Sequence, residues 1–190
     1  MLQLNSLTSY PVFPNWVFTG TLHLDNSQVS ELVSDITKIQ NIKTHYGFHT
    51  KPNTVTPNVF NLSRLMGKSF FDNVVSHFRL PKELRTIESV DPQLLSIMPG
   101  HSIPQTVNRH RWYQAAVFLT PNVRGTDIYL DMQDSKLYST PPGVQEYRHT
   151  IESEQCKMVF WPAHIPWGIS PNLGQQNSII YTSTFIIKRG

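Results

Sequence analysis

The chain has 190 residues, a net charge of +3 and one cysteine. This length fits a single domain with a sizeable core. One cysteine excludes an intramolecular disulfide and any all-cysteine metal site. The mild positive charge is far from the dense Lys/Arg stripe that is typical of nucleic-acid binders, so we expect no nucleic-acid partner.

The beginning of the chain and its hydropathy argue against secretion and membrane insertion. The N-terminus has no basic segment followed by an apolar run, which a secretion signal requires. No stretch reaches the roughly 18 to 20 apolar residues of a membrane span. We therefore expect a protein of the cytoplasm that is neither secreted nor bound to a membrane.

The first half of the chain predicts a strand followed by two helices. Residues 17–24 alternate in polarity as a strand does. Residues 27–40 carry apolar side chains at helical spacing behind a cluster of N-cap residues. Residues 43–61 form a polar connection with Gly and Pro, and residues 62–78 predict the second helix, which ends before Leu80-Pro81.

The second half of the chain predicts a block of strands. Its short β-type runs are 94–97, 113–119, 126–130, 156–160 and 178–187, and Pro, Gly and Asn separate them. The Ser-Thr-Pro-Pro-Gly sequence at 139–143 predicts a surface loop. The pattern indicates one α+β domain over 1–190, with a strand and two helices in 1–90 and a β core in 91–190. The helices are expected on one face of an antiparallel sheet.

Motifs for catalysis are absent from the sequence. It contains no Gly-x-Ser-x-Gly elbow and no glycine-rich phosphate loop. Eight histidines invite a search for a metal site, but Gly47 lies between His45 and His49 and disfavours a helix that would align them. His101, His110 and His164 have no carboxylate at ligand spacing and are weak candidates.

The most heavily specified stretch is the corner at 159–172, Val-Phe-Trp-Pro-Ala-His-Ile-Pro-Trp-Gly-Ile-Ser-Pro-Asn. Its prolines and glycine impose a sharp bend, and its aromatic residues supply area to bury that bend. Together with the preceding segments 98–100, 103–108, 116–122 and 125–130 and the final strand at 178–185, the corner resembles the 2-oxoglutarate/Fe(II)-dependent oxygenase superfamily. The most similar members are the prolyl-hydroxylase-like proteins of tailed phages.

The resemblance implies a double-stranded β-helix, a jelly roll of the cupin type, with the two N-terminal helices beside the sheet. It also implies where a metal site would lie. Where the family has its first histidine this chain has Gln105, where it has the carboxylate there is Val107, and the distal histidine is replaced by Trp167. The position of the cosubstrate cation falls at Asn177 or Ser178.

These replacements remove every ligand of the family's metal site, which needs two imidazoles and a carboxylate. A side-chain amide is a weak donor, a valine has none, and an indole only donates a hydrogen bond. The sequence thus predicts an oxygenase-like scaffold without cofactor that serves as a structural or protein-interaction component. A homo-oligomer or a multi-component assembly, for example in a phage virion, would be its setting.

Two alternatives remain open at this stage. The first is an active dioxygenase that binds Fe(II) and 2-oxoglutarate through rearranged ligands, for which His101, His110 and His164 are the candidates. The second is a protein that binds a small ligand or a glycan in the old cavity near Trp112, Trp167 and Tyr181.

Overall fold

The computed structural model describes residues 3–12, 15–38, 41–50, 56–78, 86–108, 110–120, 124–131 and 148–188. The strands are β1 (Gln3–Val12), β2 (Asn15–His23), β3 (Asn41–Thr44), β4 (Gly47–Thr50), β5 (Thr86–Ile97), β6 (Ile103–Thr106), β7 (Tyr113–Phe118), β8 (Ile128–Asp131), β9 (Arg148–Ile151), β10 (Lys157–Pro162), β11 (Trp167–Ile169) and β12 (Ser178–Lys188). The helices are α1 (Asn26–Lys38) and α2 (Pro57–Ser69), and a π-helical segment (Phe70–Val75) continues α2. The loop predicted at 139–143 lies outside the described residues.

The strands form two antiparallel sheets. The larger sheet has eight strands in the order β1-β2-β10-β7-β12-β5-β4-β3, and the smaller has four in the order β6-β11-β8-β9. From β5 onward the chain passes back and forth between the sheets, with β5, β7, β10 and β12 in the larger one and the strands between them in the smaller one. This exchange is the jelly roll, so the predicted α+β class and double-stranded β-helix are confirmed.

Alternation along the strands divides the buried side chains into two cores. One lies between the larger sheet and the helices, and Tyr181 and Phe185 of β12 belong to it. The other lies between the two sheets and includes Ile180 of the same strand. The expectation that both helices pack on one face of the sheet is therefore confirmed.

A capping box begins α1. The Asp25 carboxylate accepts a 2.8 Å hydrogen bond from the Gln28 backbone N–H, and the Gln28 side chain accepts one from the Asp25 N–H at 3.1 Å. This reciprocal pair satisfies two backbone donors at the helix start. The hydrogen bond from Gln28 lowers the pKa of Asp25. The predicted helix over 27–40 is confirmed as a helix, and in the structure it spans Asn26–Lys38.

The second helix begins five residues before its predicted start at Leu62, because Thr56 caps it. The Thr56 hydroxyl accepts a 3.2 Å bond from the Val59 N–H, and Pro57 occupies the first turn, where its missing N–H costs nothing. The same hydroxyl donates to the buried carboxylate of Asp35 in α1. The cap thus joins the two helices, which periodicity within one helix does not reveal.

The predicted polar connection at 43–61 is wrong in its first part, up to Thr50. Strands β3 and β4 form a hairpin there, and β4 extends the larger sheet by pairing with β5. Gly47 makes this contact because a Cβ on it would lie 2.0 Å from the Ser96 carbonyl oxygen. A short, polar hairpin whose pairing partner lies some fifty residues away along the chain has no local signature.

No helix among the described residues is long and apolar enough to cross a membrane.

The Thr56 cap gives a direct test of the link between the helices. Thr56→Ala should lower the free energy of unfolding by about 1–2 kcal/mol, because the Val59 N–H loses its acceptor and Asp35 loses a donor. Thr56→Ser keeps the hydroxyl and should behave like the parent in urea denaturation. Equal midpoints for the alanine and serine variants would contradict this role of the cap.

Candidate site at the barrel mouth

One end of the jelly roll brings together the segments to which the sequence assigned the metal ligands, whereas Asn177 and Ser178 lie at the other end, where β7 ends and β12 begins. At the end with the ligand positions β6 and β10 end and β7 and β11 begin, and we call this end the barrel mouth. Two backbone hydrogen bonds join its connecting segments, from the Asn108 N–H to the Ala163 oxygen at 3.1 Å and from the Ala163 N–H to the Trp112 oxygen at 3.0 Å. The segments that carry Gln105, Val107 and Trp167 therefore meet at this end of the barrel.

The edge strand β6 and the residue that follows it carry the positions of the first two expected ligands. Gln105 and Val107 are exposed, Val107 by 37%. The register of β6 on β11 shifts between the pairs Ile169–Ile103 and Trp167–Thr106, so three steps on β6 match two on β11. This bulge places Thr106, rather than Gln105, directly opposite Trp167. None of Gln105, Thr106 and Val107 carries an imidazole or a carboxylate.

Trp167 fills the interior directly below the mouth. Only 5% of the residue is exposed, and its ring lies 5.3 Å from that of Trp161 at an interplanar angle of 60°. Both indoles belong to the core between the sheets, whose other members are nearly all aliphatic. An aromatic pair in this tilted arrangement contributes favourable contact beyond the burial of its area. The position of the distal histidine is thus occupied by a packed core residue.

The positions assigned to the cosubstrate cation hold neutral polar side chains. The Asn177 amide donates to the Ser96 hydroxyl at 3.2 Å, and the buried Ser178 hydroxyl donates to that of Thr126 at 3.1 Å. No described His, Lys or Arg is buried. Among the described residues, the barrel interior therefore offers no cation that would neutralise a bound dicarboxylate.

The three alternative histidines do not form one cluster. His101 precedes β6 and lies at the end of the barrel away from the mouth, whereas His110 follows β6 and His164 precedes β11. All three are exposed. Among the described residues, no three His, Cys, Asp or Glu side chains lie close enough together to hold a metal ion.

The structure does not bring Trp112, Trp167 and Tyr181, the residues of the expected cavity, to one side of the larger sheet. Tyr181 belongs to the core beneath the helices, and Trp112 packs against that same core, 5.4 Å from Phe70. Trp167 lies on the other side of the larger sheet, in the core between the sheets. The larger sheet therefore separates Trp167 from Trp112 and Tyr181, because its two faces cover different cores. Burial raises the pKa of Tyr181, so its phenol stays neutral.

Sequence reasoning missed a polar pair at the mouth. Gln114 of β7 is 6% exposed and is paired in register with Trp161 of β10, so both side chains lie on the same face of the sheet. The Gln114 Oε1 acceptor and the Trp161 Nε1 donor are buried and have no described hydrogen-bond partner. A lone glutamine in an apolar strand was the available signal.

Solved structures of other proteins share this architecture. No protein-family model and no curated protein matches the sequence. Among solved structures, a prolyl-4-hydroxylase from Pseudomonas putida has a TM-score of 0.65 at 14% identity, over 94% of this chain and 96% of that one. An oxidoreductase of the 2OG-Fe(II) oxygenase family from Burkholderia pseudomallei gives 0.64 at 9%, over 90% and 85%. This chain has the fold of the 2-oxoglutarate/Fe(II) oxygenases.

A third structure of the same fold shows what such a barrel holds elsewhere. HygX from Streptomyces hygroscopicus, with nickel, 2-oxoglutarate and hygromycin B bound, has a TM-score of 0.62 at 8% identity over 89% of this chain and 82% of that one. At and beside the positions that the resemblance assigns to the ligands, this barrel has the amide of Gln105, the hydroxyl of Thr106 and the indole of Trp167, which faces the core. This set does not fit an iron ion with 2-oxoglutarate.

The packing of Trp167 can be measured as stability. Trp167→Ala should lower the free energy of unfolding by about 3–5 kcal/mol, because it leaves a large cavity between the sheets. Trp167→Phe, the matched control, should lower the free energy of unfolding by less than half of the loss in the alanine variant. A loss within about 0.5 kcal/mol for the alanine variant, as is usual at surface sites, would show that the indole is not a core residue.

The buried Gln114 acceptor predicts the effect of replacing its amide. Gln114→Met keeps the shape, removes the unpaired oxygen, and should leave the protein equally stable or stabilise it by about 1 kcal/mol in chemical denaturation.

Gln114→Glu is the informative counterpart, because burial would raise the pKa of the new carboxyl above its usual value of about 4.3. The unfolded chain then loses its proton at lower pH than the folded one. The stability of this variant relative to the parent should therefore fall as the pH rises above about 4.3. A flat pH profile for the difference would show that the site is open to water.

Proposed function

We propose that this chain is a non-catalytic jelly roll that keeps the oxygenase fold and serves as a structural or protein-interaction component. The observation that carries the proposal is the buried Trp167, which packs on Trp161 in the space where an oxygenase of this fold needs a ligand and room for its substrates. Packing at this point favours stability of the barrel over binding inside it. The proposal requires neither Fe(II) nor 2-oxoglutarate.

The charge of the interior supports the same proposal. A dicarboxylate cosubstrate requires a cation, since burying an unpaired carboxylate is costly. The buried polar residues of the described chain are hydroxyl and amide side chains together with Asp35 and Asp131. Negative or neutral groups of this kind disfavour the binding of a second anion.

The setting of the protein is part of the proposal. We place it in the cytoplasm, or in a virion or its assembly line if a phage encodes it, as the resemblance to phage members suggests. Its partners are copies of itself or other proteins, with an interface of about 1,000 Å² or more if the contact is stable. Light scattering after size exclusion tests this. A strict monomer that binds no protein would contradict it.

Binding of a neutral small ligand is a second candidate, favoured by a cleft outside the barrel. The cleft holds about 440 Å³ between α1 and the larger sheet, a volume in the range of ligand sites. Its lining is Val33, Ile36, Phe48, Ser96, Thr120, Gln176, Asn177 and Ile179, none of which is ionisable. A thermal-shift screen of uncharged metabolites and sugars tests it, with Ile36→Trp as the blocking variant.

The decisive experiment on the leading proposal is metal analysis of protein purified without chelator, combined with a 2-oxoglutarate turnover assay. We expect substoichiometric iron and no succinate above background. A variant with Thr106→His and Trp167→His is the positive control for metal, since these positions are cross-strand neighbours and two imidazoles there should bind Co(II) with a visible absorption band.

Two outcomes would overturn the proposal. One is stoichiometric iron in the parent protein, and the other is succinate formation that requires iron. If either is seen, His110→Ala and His164→Ala identify whether the rearranged ligands at the mouth are responsible, with His101→Ala at the opposite end as the matched control.

A further inference from the structure

The outward side of α2 carries exposed aromatic residues. Phe60 is 60% exposed and Phe71, at the start of the π-helical segment, is 39% exposed. Arg64 and Lys68 lie between them and are also exposed. We call Phe60, Arg64, Gly67, Lys68 and Phe71 the outer helix face.

The periodicity of the helix explains why these residues share a side. Steps of four, three and four residues lead from Phe60 through Arg64 and Gly67 to Phe71, and such steps return to one stripe of a helix. Val59, Leu62 and Met66 are buried and form the opposite stripe, against the sheet. The two phenylalanines are about 16 Å apart along the axis, or about three turns.

Gly67 lies at the centre of the stripe, and packing within the fold does not require a glycine there. A Cβ built on it meets nothing within 4 Å, so the fold has room for a larger residue. Glycine inside a helix is unfavourable relative to alanine because it loses more backbone freedom on folding. A glycine at such a position permits the close approach of another backbone.

The charges of the face indicate what kind of partner fits. Neither Arg64 nor Lys68 forms an ion pair with a carboxylate of the described residues. Asp72 is the one acidic residue of α2 and the π-helical segment. Two exposed cations between two exposed rings complement a partner that is apolar and acidic.

A second copy of the chain is a poorer occupant. If two of these helices crossed in antiparallel orientation at Gly67, Arg64 of each would lie about 3 Å along the axis from the level of Lys68 of the other. A parallel arrangement would place each cation beside its own copy. Like charges in contact are unfavourable in both cases.

We propose that the outer helix face binds an acidic amphipathic helix of another protein, with apolar side chains over about three turns and carboxylates beside them. The inference rests on the proposed function, because it names the surface and the partner through which a non-catalytic barrel would act. Phe60 and Phe71 would provide the apolar contacts, Arg64 and Lys68 the charge contacts, and Gly67 the close approach.

The test uses two designed helical peptides as probes. Both carry leucines at helix positions 1, 5, 8 and 12 in an alanine background, and they differ only in flanking glutamates or flanking lysines. Fluorescence anisotropy should give the glutamate peptide at least a tenfold lower Kd for the parent protein, with the difference reduced at about 1 M salt, where charge screening is strong.

Variants of the protein separate the contributions. The double variant Phe60→Ser, Phe71→Ser should raise the Kd of the glutamate peptide about tenfold or more, as expected for the loss of aromatic anchors. Arg64→Glu with Lys68→Glu should reverse the preference toward the lysine peptide. Gly67→Ala should raise the midpoint of unfolding of the free protein and still weaken binding. Leu173→Ser, which removes an exposed leucine far along the chain, is the control and should change nothing.

Equal affinity for the two peptides, or no binding of either, would overturn the inference. So would an equal loss of binding in the Leu173 variant, or a homodimer that the Phe60 and Phe71 substitutions dissociate. None of these results alters iron content or succinate formation. Succinate formation by the parent would instead overturn the proposed function, and the two failures are therefore distinguishable.

Discussion

The packing of apolar side chains between the two sheets is the interaction on which the rest of this structure depends. A jelly roll closes when the inward side chains of both sheets fill the space between them, and here Trp161 and Trp167 fill it at the end where the barrel opens. Protein interiors are close-packed, so a volume occupied by two indoles is unavailable to another group. The same contact that holds the sheets together therefore fills the space between them at this end of the barrel.

The consequences extend along the strands that meet at the mouth. β7 and β10 lie side by side and are buried along almost their whole length, and their only strongly polar inward group at this end is the Gln114 amide. On the opposite face the same sheet supports α2 and its π-helical continuation, where Phe70 stacks on Phe185 with ring centroids 4.3 Å apart. Since both faces of the larger sheet are used for packing, the surfaces that the described residues leave for interaction include the outward sides of the helices, the outer face of the smaller sheet and the rims of the barrel.

The residue types at the candidate positions can be read from the sequence, but their geometry cannot. The chemistry of Gln105, Val107 and Trp167 can be read from residue types, and the structure brings these segments to one end of the barrel. The bulge that places Thr106 opposite Trp167 depends on how β6 pairs with β11, about 60 residues further along the chain, and local spacing carries no trace of it. The grouping of Trp112, Trp167 and Tyr181 failed for a related reason, because the face that each strand residue presents is set by sheet pairing.

The sequence by itself determined the helices, through their apolar spacing, and the β character of the second half, through its short apolar runs and Pro/Gly/Asn turns. It also determined that no imidazole or carboxylate stands at the resembling ligand positions, since residue type alone decides that. Only the tertiary structure decided the hydrogen bond that links the Thr56 cap of α2 to Asp35 of α1, the β3–β4 hairpin at the sheet edge, and the burial of Trp167 rather than its exposure at a rim. These features depend on contacts between residues far apart in the chain, and no pattern within one segment can specify a partner in another.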